Sequence, residues 1–115
     1  MTKGQREALE AYTGRVRAHY GARLHDIILF GSRARGDIRP ESDVDLAIIL
    51  KDDGWRFWAE KLALADLSYE AVIDAELVVQ GCPVPLAAWQ SPADHPQRQL
   101  INAMKRDARP WRDAA

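Results

Sequence analysis

Cysteine is nearly absent, since Cys82 is the only one in 115 residues. A single thiol excludes an internal disulfide and makes a reducing cytoplasm the expected location. No apolar run approaches the ~18 residues that a membrane span needs. The polar start Met1-Thr2-Lys3-Gly4-Gln5 does not have the form of a signal peptide. Charge of one sign is not in excess either: net charge is −1 and the pI is near 6.3, which offers nucleic acid no bulk attraction. Histidine is scarce, and His19, His25 and His95 are scattered without metal-ligand spacing. Repeats, low-complexity tracts and linkers are missing, so residues 1–115 read as one domain. Its size is ordinary, enough to bury about two thirds of its surface on folding.

What charge there is lies unevenly. Residues 41–76 hold ten acids against three bases, net −7, and the rest holds thirteen bases against seven acids, net +6. An acidic middle suits a metal site, whereas Arg33, Arg35 and Arg39 suit a triphosphate. Taken singly, most of these charges read as solvated faces.

Leu9, Tyr12, Val16 and Tyr20 recur at helical spacing before Gly21, which predicts an amphipathic helix over residues 3–20. A strand over Asp26 to Phe30 follows, then a turn, a loop containing Pro40, and a strand over Asp43 to Leu50. Trp55, Trp58, Leu62, Ala65 and Tyr69 mark a second helix to about Ile73. Leu77-Val78-Val79 begins a third strand that fades at Gly81-Cys82-Pro83-Val84-Pro85, and Leu100, Ile101 and Met104 lie on a short helix ended by Arg109-Pro110. This order predicts an α+β fold with a small mixed β-sheet and helices packed on it. Trp55, Trp58 and Trp89 are expected in the core or at its rim, an exposed tryptophan being the mark of a partner surface. Cys82 is expected to act as a small buried hydrophobe.

The chemistry concentrates between two apolar runs. Ile27-Ile28-Leu29-Phe30 leads directly into Gly31-Ser32, and after ten intervening residues comes Asp43-Val44-Asp45 ahead of Leu46-Ala47-Ile48-Ile49-Leu50. Gly31 admits a backbone conformation closed to other residues, and Ser32 is a good N-cap for a helical turn whose free N–H groups receive phosphate oxygens. Side chains two apart on a strand share a face at roughly 7 Å, so Asp43 and Asp45 can hold a divalent cation together. Ser32 has no nearby His/Asp pairing, which favours phosphate binding over nucleophilic attack. The bland alternative is a surface Asx turn before a half-exposed strand. It leaves unexplained why two carboxylates stand at the mouth of a buried strand without a cation.

The stretch Gly31-Ser32-Arg33-Ala34-Arg35-Gly36-Asp37, followed by Glu41-Ser42-Asp43-Val44-Asp45-Leu46-Ala47-Ile48, resembles the signature of the DNA polymerase beta-type nucleotidyltransferases, in particular the minimal nucleotidyltransferases. The resemblance implies the nucleotidyltransferase fold, a Mg²⁺ or Mn²⁺ cofactor on Asp43 and Asp45, and ATP or another NTP as substrate. It further implies that Gly31, Ser32, Arg33 and Arg35 contact the nucleotide. It also implies a third acid on the next strand, as metal ligand and base. Asp74 and Glu76 share the parity of Val78 if the chain is extended from residue 74, and Glu76, closer to the strand and longer, is the preferred catalytic and metal-binding candidate. Registered instead on Gln80, the family pattern places Val78 where the acid belongs.

The resulting expectation is transfer of a nucleoside monophosphate to a hydroxyl of a protein or RNA partner. The chain has nothing left over for an acceptor pocket, so a partner or a homodimer must supply that side. The resemblance implies an antitoxin acting on a helical HEPN-type toxin. A catalytically silent nucleotide- or partner-binding module of the same fold is the alternative. A small-molecule transferase acting on an antibiotic is a weaker one, disfavoured by the lack of a second domain.

Overall fold

The computed structural model describes residues 1–36 and 43–114. Helix α1 spans Lys3–Tyr20. It starts at a reciprocal cap, in which Thr2 accepts from the Gln5 N–H while the Gln5 side chain accepts from the Thr2 N–H. It ends at Gly21, whose φ of +55° few other residues adopt. Strand β1 (Leu24–Phe30) and strand β2 (Val44–Leu50) then pair antiparallel, placing Phe30 opposite Asp45. Helix α2 (Phe57–Ala75) returns the chain so that β3 (Val79–Pro85) runs parallel to β2. Two short helices follow, α3 (Leu86–Gln90) and α4 (Arg98–Asp107), and a two-residue strand β4 (Arg109–Pro110) closes on Ile28 and Leu29. The sheet order is β3-β2-β1-β4, a small mixed sheet with helices on it, as the sequence predicts.

The alternation of side chains divides the core between two faces. Ile27, Leu29, Val44, Leu46, Ile48, Leu50 and Val79 pack against α1 and α2. On the opposite face Ala47, Ile49 and Val84 pack against Ala88, Ile101 and Met104 of α3 and α4. Central strand β2 is covered on both sides, which accounts for its unbroken apolar run from Leu46 to Leu50. No helix among the described residues is long and apolar enough to cross a membrane.

Two expectations are corrected. The third strand does not fade at Gly81 but continues through Pro83 and Pro85. β3 is an edge strand, and proline, having no N–H to donate, is tolerated there. Gly81 itself is needed, because a Cβ would stand 2.5 Å from the Tyr12 hydroxyl and 3.2 Å from Leu64 Cβ. The second correction is Trp58, which is not in the core but 70% exposed. The stripe that identified α2 as a helix faces solvent, and the sheet receives the opposite arc, carrying Leu64 and Ala71.

Candidate active site

The register brings Phe30, Asp45 and Gln80 side by side across three strands. By alternation Asp45 shares the face of Ala47 and Ile49, which α3 and α4 cover farther along. Around Asp45 that face opens: Asp43 and Asp45 are half-buried and Gln80 is exposed. Asp43 lies one residue outside β2, which starts at Val44. The Gln80 side-chain amide donates a long hydrogen bond of 3.4 Å to Asp43 Oδ2.

The glycine turn presses directly on this pair. Gly31 has φ +79°, and a Cβ there would stand 2.5 Å from Asp45 Oδ2 and 3.3 Å from its carboxyl carbon. Glycine is therefore required twice, for the left-handed backbone and for the closeness of the carboxylate. The Arg35 N–H donates to the Gly31 carbonyl at 3.1 Å, which makes the following segment a single helical turn with Ser32, partly exposed, at its start. The C-terminal part of the chain braces that turn. Arg35 pairs with Asp107 at the end of α4 at 2.7 Å, and Arg109 Nε donates to the Ala34 carbonyl at 2.9 Å. Arg33 is buried, whereas the Arg35 side chain is half exposed. Asp37, Arg39, Pro40, Glu41 and Ser42 lie outside the described residues.

Burial raises the Asp45 pKa above the ordinary carboxylate value, and the nearby Asp43 charge adds to the effect; Lys61 and Arg35 oppose it. Lys61 reaches from α2 to donate to the Gly81 carbonyl at 2.8 Å. It also counters the rise that burial imposes on the Cys82 thiol, to which Asp45 contributes. Two neighbouring half-buried carboxylates, the Asp45 one disfavoured as an anion by burial and by Asp43, are suitable oxygen donors for a hard divalent cation, with phosphate and water oxygens completing the shell.

The expected third carboxylate is not brought to the pair. Among the described residues no three His, Cys, Asp or Glu side chains come together as a metal-binding group. The parity argument for Glu76 and Asp74 required an extended chain from residue 74, but α2 continues to Ala75. Glu76 then takes a left-handed conformation, φ 50°, and its N–H caps the Ala71 and Val72 carbonyls. Leu77 is buried, and the Val78 carbonyl accepts from the Val44 N–H at 2.9 Å. The residue level with Asp45 on β3 is Gln80. Its place beside the aspartates, like that of Lys61, depends on the parallel register of β3, which no local pattern announces.

Residues 20–80 match the family described as polymerase beta, nucleotidyltransferase. A Methanocaldococcus jannaschii protein, provisionally named a protein adenylyltransferase, is 34% identical over 71 residues, covering 62% of this chain and 70% of its own. Among solved structures, a cyclic dinucleotide synthase of Elizabethkingia meningoseptica with GTP and Apcpp superposes at a TM-score of 0.51 and 21% identity. That likeness concerns the fold, covers 69% of this chain, and spans only 36% of the synthase.

Proposed function

The chain belongs to the polymerase beta-type nucleotidyltransferase family, and we propose that it transfers a nucleoside monophosphate from an NTP, ATP foremost, to a hydroxyl of a protein or RNA partner. The observation that carries this reading is the close approach of Gly31 to the Asp45 carboxylate, which supports a phosphate-binding role for the turn and a cation-binding role for the aspartate pair. Asp43 and Asp45 would hold Mg²⁺ or Mn²⁺, which when bound offsets charge on the phosphate oxygens. The N-terminal end of the turn and the Ser32 hydroxyl would hold the terminal phosphates. Of the two arginines Arg35 is the better placed to balance them, being half exposed and within electrostatic reach of Asp45. The M. jannaschii relative's name favours a protein acceptor. The finer reading, an antitoxin acting on a helical HEPN-type protein, rests on the family resemblance.

A second reading has its own observation. With Glu76 at a helix cap, no third acid among the described residues joins the aspartate pair to accept the acceptor's proton, which favours a module that binds nucleotide without turnover. Label from α-labelled ATP, followed into a HEPN-type protein or an RNA, separates the two. Transfer that depends on Mg²⁺ and is lost in Asp43→Asn with Asp45→Asn supports the enzyme. A Mg²⁺-ATP-dependent rise in Tm without transfer supports the module. Retention of the Tm rise in that double variant sinks both. Ser32→Ala should weaken nucleotide binding by about 1 kcal/mol, and Gly31→Val by more. Unchanged transfer in Glu76→Gln would show that the pair suffices.

A further inference from the structure

The outer face of α2 has no use in the site just described. Trp58, Leu62, Tyr69 and Ile73 are each between 63% and 70% exposed, and Ala65 and Val72 between them are exposed as well. They fall at i, i+4, i+7, i+11 and i+14/i+15, one straight seam of about 22 Å along the helix. At its start Trp58 and the exposed Phe57 meet edge to face, and both line an open cavity of about 480 Å³ shared with Leu100 and Met104. A contiguous apolar face of this length with a pocket at one end is a protein-docking surface rather than scattered surface apolarity.

Its charged border says what fits. Asp66, Glu70 and Asp74, at i, i+4 and i+8, form an acidic ridge beside the seam, with Glu70 held 3.4 Å from Arg15. The other border carries Lys61, whose amine is engaged by the Gly81 carbonyl, and Ser68, whose hydroxyl donates to the Ala65 carbonyl. A twofold antiparallel pairing of two copies of α2 would set like borders together, acid against acid. A parallel pairing would set the ridge against the already engaged Lys61. An anionic membrane surface meets the same acidic ridge.

From the seam and its ridge we infer that α2 docks an amphipathic helix of a different protein, with an apolar stripe at matching spacing and Lys or Arg along its flank. The inference takes from the proposed function only the existence of a macromolecular partner. Because the seam is separate from the aspartate pair, each can fail alone.

The probe is a synthetic helical peptide of about 16 residues, matched to the seam's length, with leucines at the seam spacing and lysines on the flanks. Its twin carries glutamate at every lysine position. Calorimetric titration should show the lysine peptide binding at least about tenfold more tightly than the twin. Leu62→Ser with Tyr69→Ser should abolish binding while the Tm falls by no more than about 5 °C. Asp66→Asn with Asp74→Asn should weaken it about fivefold, as for two exposed ion pairs. Asp45→Asn should bind the peptide unchanged, which separates docking from nucleotide transfer. Equal affinity for both peptides, or for neither, overturns the proposal. So does a sedimenting dimer of the protein alone that Leu62→Ser dissociates, which would make a second copy the occupant, or co-sedimentation with anionic vesicles, which would make it a membrane.

Discussion

The two long helices carry apolar residues at the same spacing and use them in opposite ways. On α1 the stripe Leu9, Tyr12, Val16 and Tyr20 is buried against the sheet, each residue no more than 3% exposed. On α2 the stripe Trp58, Leu62, Tyr69 and Ile73 points to solvent. The difference lies in the other arcs of the helices. Apart from its stripe α1 is largely polar, so only one orientation buries its apolar area. Around α2 apolar residues occur on both sides, and the sheet accepts the narrower set, Leu64 and Ala71, with Leu67 and Ala75 partly buried. Gly81 on β3 admits that choice, its missing Cβ leaving room for Leu64 and the Tyr12 ring to lie close on the strand. Periodicity therefore identifies a helix, while the face that is buried depends on the surface it meets.

The largest test of this contrast is Tyr12→Ala in the isolated protein. Tyr12 is fully buried, and removing a ring from a core costs about 3–5 kcal/mol, to be read as a lower midpoint in urea. Tyr12→Phe should act in the opposite direction. The Tyr12 hydroxyl is buried without a hydrogen-bond partner among the described residues, and deleting an unsatisfied polar group gains up to about 1 kcal/mol. A Tyr12→Ala midpoint close to wild type would mean that α1 is no better anchored than the outer face of α2.

Legibility in the sequence followed the same divide between local and long-range determinants. The apolar spacing and the Gly21 stop predict α1 over residues 3–20, which matches the observed Lys3–Tyr20. The Gly31 turn and Asp45 were also within reach, because an antiparallel pair places the end of β1 beside the start of β2. What lay beyond it was everything decided by β3. Its prolines read as breakers because no local signal says that the strand is at an edge. Gln80 reaches the level of Asp45 through a parallel register set by the length of α2. The extended chain on which the parity of Glu76 depended does not form, since α2 runs to Ala75 and Glu76 caps it, and a non-glycine residue at a left-handed cap leaves no trace in composition. β4, two residues long, is below what any periodicity can show.

Between the buried and exposed extremes lies Asp45, half-buried and acidic. Its pKa is raised in the folded protein by burial and by Asp43, so the native state holds its proton more tightly than the unfolded chain does. Stability is then undiminished below the unfolded carboxylate value of about 3.9 and falls as pH rises through the raised folded value, leaving a penalty at neutral pH. Asp45→Asn should accordingly raise the metal-free Tm at pH 7 and make no difference near pH 3. Mg²⁺ should raise the Tm of the wild type and not of the variant. A wild-type advantage at pH 7 without metal would show that Lys61 and Arg35 outweigh burial and Asp43.

The smallest expected effect is the sharpest discriminator. Leu62→Ser with Tyr69→Ser removes two large apolar side chains, a pair whose loss from the α1 stripe would be expected to unfold the protein. On α2 both face water, with 65% and 64% of their surface exposed, so truncation leaves no cavity and deletes little packing. Each substitution should change the unfolding free energy by no more than about 0.5 kcal/mol, and the direction carries information. Serine is a poorer helix former than leucine by a few tenths of a kcal/mol, so a slight loss, equal at dilute and concentrated protein, reports propensity alone. A loss that grows with protein concentration would mean that the seam is covered by a second copy even in the isolated protein. A loss of several kcal/mol at all concentrations would place the stripe in the core, and the contrast between α1 and α2 would collapse.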